Sequence, residues 1–317
     1  MTPESCITLH RPVMVDSVMK LLLTSNPDDD ILTGTMVDGT VGGGGHAEAI
    51  LEKLSPAGRI FCFDRDPAAI SITRQRLKSD PRIQLVHDSY SEIGEYLDLG
   101  SAAGVILDLG LSSDQLEAAR GFSHSQDSIL DMRFDPSARI NAHDVINSYS
   151  IEKLRNIFFR YGEEPLSPRI ARNISNARQK GAIRTSEQLA AVIKNSVPAR
   201  FEMKAVSRIF QAIRIEVNSE IELLEAGLKA CWDILKDGGV LCVISYHSIE
   251  DRRMKRFIAE KVKGCVCPPK LPVCACGQKP SAQVLTSSAL RPSPKEIRLN
   301  PRSRSARLRA ARKIPSK

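Results

Sequence analysis

The chain has 317 residues, of which 42% are hydrophobic and 26% charged, as expected for a globular protein with one large domain or two ordinary ones. No apolar run reaches the roughly 18–20 residues of a membrane span, and the first thirty residues lack the pattern of a secretory signal. We therefore exclude a membrane protein and expect a cytoplasmic location. The net charge of +8 is compatible with an anionic partner.

The first third of the chain alternates predicted strands and helices. Strands are predicted at residues 36–37, 59–63, 83–86 and 104–109. Helices are predicted at residues 46–54 and from Pro67, with Asp66 as the N-cap of the second. This alternation is typical of a parallel sheet with helical crossovers.

The next predicted strand, residues 239–245, follows a turn at residues 235–239 and comes much later than a short crossover would place it. The interval between has the periodicity of helices, including one that begins with a capping box from Thr185 to Gln188. A longer apolar pattern, residues 206–235, is predicted to break at Asn218. We therefore predict an α/β sheet domain of the Rossmann-like type, residues 1–117 and 217–317, with an inserted all-helical domain, residues 118–216.

A glycine-rich loop, residues 38–46, joins the first predicted strand to the first helix, where backbone can approach a ligand closely. A mononucleotide P-loop is disfavoured, because no Lys-Ser or Lys-Thr follows the glycines. A dinucleotide site stays open, because Gly42, Gly44 and Ala47 fit the relaxed fingerprint and Asp64 ends the second strand. Asp38 favours a third ligand, S-adenosylmethionine, whose ammonium and sulfonium groups suit a carboxylate better than a pyrophosphate does.

The fourth predicted strand ends in Asp108. In methyltransferases that act on amines, a polar residue at this strand end meets both the cofactor and the target nitrogen. The alternative is an aspartate that only caps a turn.

Seven motifs follow one another along the chain. They are Gly44-Gly45-His46, Phe63-Asp-Arg-Asp-Pro67, Asp108-Leu-Gly-Leu-Ser-Ser-Asp-Gln115, Arg120-Gly-Phe-Ser123 with Leu130-Asp-Met-Arg133, Phe210-Gln-Ala-Ile-Arg214 with Val217-Asn-Ser-Glu220, Ser245-Tyr-His-Ser-Ile-Glu-Asp-Arg252 and Asn300-Pro-Arg-Ser-Arg-Ser305. Together they resemble the RsmH (MraW-type) 16S ribosomal RNA methyltransferases, and the resemblance extends from His10 to Arg312.

The resemblance implies a Rossmann-like domain interrupted by a helical one, and methylation of the exocyclic 4-amino group of a cytosine in the decoding region of 16S rRNA. The implied partner is this RNA in the small ribosomal subunit, recognised through the inserted domain. A homodimer stays open. Carried over by position, the residues that contact S-adenosylmethionine are Gly44, Gly45, His46, Asp64 at the ribose, Tyr90 beside the adenine, Asp108 and Gln115.

This sequence departs from other methyltransferases of exocyclic amines, which carry Asp-Pro-Pro-Tyr at the fourth strand, because Leu-Gly-Leu follows Asp108. Asp108 is the candidate acceptor for an N–H of the cytosine amine, with a backbone carbonyl as the alternative. His247 and Glu250 follow the fifth strand and either line the cytosine pocket or hold their loop. The rival function is an inactive ribosome-associated RNA-binding protein, and a nicotinamide dehydrogenase is more distant.

Two features of the last third remain open on the sequence. Cys265, Cys267, Cys274 and Cys276 could form a zinc site, but their single-residue gaps are tight, which favours free thiols in a basic loop and no assigned metal ligand. Residues 263–317 carry thirteen Lys or Arg and one acid, a charge of +12, so the remainder carries −4. This basic tail is solvated, contacts phosphates or folds back on the sheet.

Overall fold

The computed structural model describes residues 12–24, 33–78, 80–112, 115, 120–123, 127–265, 267–268, 273 and 275–315. The chain divides into two compact units, of which the first comprises Met1–Gly110 and Leu223–Lys317 and the second comprises Leu111–Glu222. The helical insertion predicted at residues 118–216 has its first boundary outside the described residues. None of the helices in the described part of the chain is long and apolar enough to cross a membrane.

The first unit contains a seven-stranded sheet. Its strands are β1 (Thr35–Asp38), β2 (Arg59–Asp64), β3 (Ile83–His87), β4 (Ala102–Asp108), β5 (Leu235–Ser245), β6 (Ala282–Val284) and β7 (Arg307–Lys313). Their order is β3-β2-β1-β4-β5-β7-β6. The first five strands in this order run parallel, and β7 pairs antiparallel with both β5 and β6. The strand order reverses between β1 and β4, the position at which such sheets bind ligands beyond the carboxyl ends of their strands.

Eleven α-helices are described. They are α1 (Val15–Thr24), α2 (Gly45–Leu51), α3 (Pro67–Arg76), α4 (Ala142–Ser148), α5 (Ile151–Arg160), α6 (Ser167–Lys180), α7 (Ser186–Lys194), α8 (Glu202–Asn218), α9 (Glu220–Ile234), α10 (Ser248–Lys263) and α11 (Pro294–Leu299). Short 3-10 turns lie at Tyr90–Glu95, Ala199–Phe201 and Pro301–Ser305. Asp66 caps α3 with Pro67 at its first position, as predicted.

The core of the first unit lies on both faces of the sheet. Successive strand residues point to opposite faces, so Met36 packs with residues of α1, α2 and α3, whereas Val37 packs with residues of α9 and α10. The β4 residues 102–107 are all buried, as expected for a central parallel strand covered by helices. Because helices cover both faces of the sheet, polar groups of the strands can reach a ligand only at the strand ends.

The second unit consists of α4 to α8 and the start of α9. The predicted capping box is confirmed, because Thr185 and Gln188 exchange hydrogen bonds at the start of α7. The predicted break at Asn218 is also confirmed: α8 ends there, and Ser219 takes the left-handed conformation (φ +50°) before α9 begins. Arg214 closes the break through two 2.8 Å hydrogen bonds to the Glu220 carboxylate.

One prediction about the last third needs correction, and the structure bears on one alternative left open for the basic tail. The predicted turn at residues 235–239 lies within β5, where it forms a bulge between the pairs Ala102↔Leu235 and Gly104↔Val240. Gly238 has a positive φ of +83°, which explains the turn-like sequence. The densest basic stretch is not a solvated tail, since residues 307–313 form β7 in the middle of the antiparallel part of the sheet.

Candidate active site

The carboxyl ends of the parallel strands bring acidic residues to one edge of the sheet. Asp38 is the last residue of β1, Asp64 of β2 and Asp108 of β4, and Ser245 ends β5. Because parallel strands end on the same side, residues far apart in the sequence meet here. The glycine-rich loop leaves this edge between β1 and α2.

Asp38 has an unusual environment for a carboxylate. It is 1% exposed, and Oδ1 accepts a hydrogen bond from the Thr40 N–H at 3.2 Å. Oδ2 has no hydrogen-bond partner among the described residues. Burial raises the pKa of Asp38 from 3.8 to about 6. A buried oxygen with unused acceptor capacity fits a cationic ligand, whose charge would favour the ionised carboxylate.

Asp64 holds the glycine-rich loop against β2. Its Oδ2 accepts from the Gly42 N–H at 2.9 Å, and its Oδ1 accepts from the Asp66 N–H at 2.8 Å. The Thr73 hydroxyl of α3 donates to the Gly42 carbonyl at 2.9 Å, so both peptide groups of this glycine are fixed. Burial raises the pKa of Asp64 to about 6. Each carboxylate oxygen has a second lone pair, which leaves capacity for ligand hydroxyl groups.

The residues at the start of α2 have clear packing roles. Gly44 precedes the helix with φ +80°, a conformation that favours glycine. A Cβ on Gly45 would lie 2.6 Å from the ring of Pro12. His46 is 4% exposed, and its Nε2 donates to the Val13 carbonyl at 3.0 Å. Burial lowers the pKa of His46, so the ring is neutral at physiological pH.

Asp108 connects three elements of the first unit. Its backbone N–H donates to the Thr40 hydroxyl at 2.6 Å. Its side chain is 8% exposed, and Oδ1 accepts from the Tyr246 hydroxyl at 2.9 Å. The other oxygen lies 3.7 Å from Nδ1 of His46, beyond hydrogen-bond distance. Thr40 therefore fixes the backbone of Asp108 and Tyr246 fixes its carboxylate, at the position that the sequence predicts for the acceptor of the amine.

Tyr246 was not identified from the sequence as a site residue. Burial and the neighbouring Asp108 raise the pKa of its hydroxyl well above the usual value, so it stays protonated and acts as a donor. Its ring lies against Gly110, where φ is +101° and a Cβ would lie 3.2 Å from the ring. The available sequence signals were its place in the 245–252 motif and a glycine two residues after Asp108.

His247 and Glu250 form the N-terminus of α10. Nδ1 of His247 accepts from the Glu250 N–H at 3.4 Å, and Glu250 Oε2 accepts from the N–H groups of Tyr246 and His247 at 2.9 and 3.3 Å. Glu250 is 3% exposed. The sequence left two roles open for this pair, lining the cytosine pocket or holding the loop, and these hydrogen bonds correspond to the second. A contact with cytosine stays a prediction.

Comparison with known proteins gives a single answer. The model of the MraW methylase family matches residues 7–314. The ribosomal RNA small subunit methyltransferase H of Syntrophotalea carbinolica is 43% identical over 96% of this chain and 98% of its own length. The enzyme of the same name from Thermomicrobium roseum is 42% identical over 97% of this chain and 94% of its own.

The chain belongs to the MraW methylase family. It is an S-adenosylmethionine-dependent methyltransferase with the Rossmann-like sheet of that class. The environment of Asp38 fits this cofactor, because the unpartnered buried oxygen suits the ammonium group of the methionine moiety. The fixed backbone at Gly42 gives the close approach that such a ligand needs.

All seven family positions remain predictions as cofactor contacts, Tyr90 and Gln115 among them. Tyr90 begins the 3-10 turn after β3, and a Cβ on Gly227 of α9 would lie 2.2 Å from its ring, so the glycine makes room for the tyrosine. Gln115 belongs to the second unit, where its Oε1 accepts from the Ser112 N–H at 3.1 Å. The motif residues between Ser112 and Gln115 lie outside the described residues, as does Cys274 of the cysteine cluster.

Proposed function

We propose that this methyltransferase acts on the exocyclic 4-amino group of a cytosine in the decoding region of 16S rRNA in the small ribosomal subunit. The observation that carries the proposal is the Asp108 carboxylate, which ends β4 beside the glycine-rich loop and is oriented by Tyr246. The full-length similarity to small-subunit rRNA methyltransferases supports the choice of substrate.

Most residues of the proposed cofactor site belong to the first unit. Asp38 would bind the ammonium group, Asp64 the ribose hydroxyls and Tyr90 the adenine. Gly44, Gly45, His46 and Gln115 complete the set expected from the family. S-adenosylmethionine, when bound, supplies an electrophilic methyl group on a sulfonium.

Asp108 would activate the amine as a hydrogen-bond acceptor. The lone pair of a cytosine amine is delocalised into the ring, so the amine is a poor nucleophile. A carboxylate that accepts one N–H localises this lone pair and aims it at the methyl carbon, roughly 3–3.5 Å away in a reactive arrangement. Because the protonated Tyr246 hydroxyl donates to Oδ1, it favours the ionised, accepting form of Asp108.

The remaining site residues would act through Tyr246. Glu250 accepts from the Tyr246 N–H, and His247 fixes the same turn, so both are positioning residues in this proposal. The amine carries an exchangeable proton that can leave to water after methyl transfer, so no dedicated base is required. The aromatic clamp of Asp-Pro-Pro-Tyr enzymes is absent from the sequence after Asp108.

RNA recognition is assigned in part to the helical second unit. Its exposed basic residues include Arg169 and Arg172, which lie one turn apart on α6. Binding of phosphates by such positive charge is favoured by the release of counterions. We place the reaction in the cytoplasm, where the small subunit is assembled. A homodimer stays an open alternative for the assembly, and light scattering of the purified chain tests it.

The direct test is methyl transfer from labelled S-adenosylmethionine to small subunits and to naked 16S rRNA from cells that lack this enzyme. Mass spectrometry of nuclease fragments should locate the label on the 4-amino group of one cytosine in the decoding region. The Asp108→Asn variant is the matched control. Cofactor binding without transfer to either substrate would favour the inactive RNA-binding alternative, and a label on another atom would refute the proposed chemistry.

A further inference from the structure

The loop between α10 and β6 contains a group of cysteines that the methyl-transfer chemistry does not use. We refer to residues 264–281 as the cysteine loop. Its ends are held together, because the Ser281 N–H donates to the Lys261 carbonyl at 2.9 Å. A Cβ on Gly264, where φ is +70°, would lie 2.2 Å from the carbonyl carbon of Lys279. The two ends of the loop are therefore held together at the end of α10.

Three thiols of this loop converge. The Sγ atoms of Cys265, Cys267 and Cys276 all lie within 4.8 Å of one another. The Sγ atoms of Cys265 and Cys276 are 3.8 Å apart. A disulfide would need about 2.05 Å, whereas two sulfurs bound to one tetrahedral zinc at about 2.3 Å are about 3.8 Å apart. The spacing therefore corresponds to an edge of a zinc–thiolate tetrahedron.

The backbone also contacts one of these sulfurs. The Ala275 N–H donates to Sγ of Cys267 at 3.3 Å, so this sulfur acts as a hydrogen-bond acceptor. Gly277 follows Cys276 with φ +64° and no neighbouring atom within 4 Å of a Cβ, so the backbone turn, not packing, explains this glycine.

The packing of these cysteines differs from that of the other described cysteines. Cys62, Cys231 and Cys242 are 0% exposed and belong to the core of the first unit, where cysteine acts as a small apolar side chain. The three cysteines of the loop are half-buried and in no disulfide. Hydrophobic packing therefore accounts for the first group and does not account for the convergence of the second.

From this arrangement we propose that Cys265, Cys267 and Cys276 bind one Zn²⁺ ion, which links these three positions of the loop. Binding forms three Zn–S bonds and releases the three thiol protons to solvent, and a further ligand completes the tetrahedron. Soft thiolates select zinc over magnesium or calcium, which prefer oxygen ligands. The helix α10 begins directly after the carboxyl end of β5 and runs for 16 residues, about 24 Å, before the loop starts, so we assign the metal a structural role. This changes the interpretation favoured by sequence spacing alone, that of free thiols.

The test begins with the wild-type chain, so that it does not depend on the folding of a variant. Protein purified without chelator should contain about one zinc per chain by elemental analysis. Apo-protein titrated anaerobically with Co²⁺ should develop the thiolate-to-cobalt charge-transfer bands and visible bands of tetrahedral cobalt, and Zn²⁺ should abolish them. Wild-type protein that gives no such spectrum after reconstitution would refute the site.

The variants then assign the ligands. Cys265→Ser combined with Cys276→Ser should reduce bound zinc to the background level, while Cys231→Ala, a cysteine substitution in the core, should retain it. Circular dichroism of each variant reports whether the sheet domain is folded. A tetrahedral cobalt spectrum that persists in the double variant, or a Cys265–Cys276 disulfide in protein alkylated at cell lysis, would overturn the proposal. Methyl transfer is measured separately, so its outcome does not bear on the zinc assignment.

Discussion

The hydroxyl of Tyr246 donates a hydrogen bond to Oδ1 of Asp108 over 2.9 Å and thereby joins the carboxyl ends of β5 and β4. The two residues are 138 positions apart in the chain, and the whole second unit lies between them in sequence. Glu250 holds the backbone of Tyr246 and the Thr40 hydroxyl holds the backbone of Asp108. The carboxylate assigned to the amine is therefore oriented by contacts from two other elements.

Tyr246→Phe should preserve the fold and lower the methyl-transfer rate by roughly tenfold, the scale of one hydrogen bond to a charged group. The substitution removes the donor to Asp108 and keeps the ring against Gly110. Single-turnover kinetics at saturating cofactor measures the effect. The matched control is Tyr96→Phe, which removes an equally short bond between an exposed tyrosine and Asp88. Equal rates in the two variants would exclude a positioning role for Tyr246.

Asp108→Asn should keep the fold and lower the transfer rate by more than about tenfold. The amide is a weaker acceptor for an amine N–H, and it can turn its NH₂ group toward the substrate. The measurement is again a single turnover at saturating cofactor, because Asp108 is also predicted to touch the cofactor. If the variant stays within twofold of wild type, the acceptor is a backbone carbonyl, the alternative left open by the sequence.

Asp64→Ala should weaken S-adenosylmethionine binding by roughly 1.5–3 kcal/mol, through lost bonds to ribose and a loosened Gly42. Calorimetry on folded protein gives the dissociation constant. Asp64→Asn keeps one acceptor oxygen and should fall between wild type and Asp64→Ala. Asp66→Asn, which changes the cap of α3 and keeps the Asp64 carboxylate, should weaken binding less than Asp64→Ala does. If Asp64→Ala leaves the dissociation constant of S-adenosylmethionine unchanged, Asp64 does not bind the ribose.

Asp38→Asn should stabilise the ligand-free protein and weaken cofactor binding. The pKa of Asp38 is raised to about 6 in the folded state. The free energy of unfolding therefore falls as pH rises from about 4 to 6, and above pH 6 the loss reaches its full value, of order 1–3 kcal/mol. The variant should therefore melt at a higher temperature than wild type at pH 8, and the difference should vanish near pH 4.

The same carboxylate predicts a pH dependence of binding. Affinity for the cationic cofactor should rise as pH increases through about 6. Above this pH Asp38 is already ionised in the free protein, so binding does not have to displace its proton. Asp64 titrates in the same range, so Asp38→Asn should flatten the profile only in part. His46 and Asp108 also interact electrostatically with Asp38. A variant with wild-type affinity at pH 8 would contradict the ammonium assignment.

The basic C-terminal segment contains two kinds of arginine. Arg307 and Arg309 of β7 pair with Asp251 of α10, with the Arg309 contact at 2.6 Å. Arg302 and Arg304 lie exposed in the 3-10 turn before the strand. Replacing Arg307 and Arg309 with Gln should lower the melting temperature by about 2–6 °C and leave the salt dependence of RNA binding intact.

Replacing Arg302 and Arg304 with Gln should do the reverse. The melting temperature should fall less than in the Arg307 and Arg309 variant, and the plot of log affinity against log salt should flatten by about one unit, given roughly −0.7 per phosphate neutralised. Both quantities are measured on both double variants. A loss of salt dependence in the Arg307 and Arg309 pair would show that β7 contacts phosphates despite its ion pairs with Asp251.

The sequence by itself determined the local elements and the chemistry of the strand ends. Alternating apolar segments predict the parallel strands, Asp66-Pro67 and the Thr185 box predict helix starts, and the late fifth strand predicts an insertion. These features depend on short-range periodicity, capping and turn chemistry, which a single sequence displays. The placement of Asp38, Asp64 and Asp108 at one edge also follows, because parallel strands end on the same side of a sheet.

Only the tertiary structure decided which distant groups meet. The Tyr246–Asp108 bond depends on the pairing of β4 with β5, and no local pattern reports the register of strands so far apart. The basic segment forms β7 because its alternate residues Leu308 and Ala310 belong to the hydrophobic core on one face of the sheet. On the other face, Arg307 and Arg309 pair with Asp251. Burial of that apolar face, together with the backbone bonds to β5, outweighs the tendency of a charged stretch to stay in water.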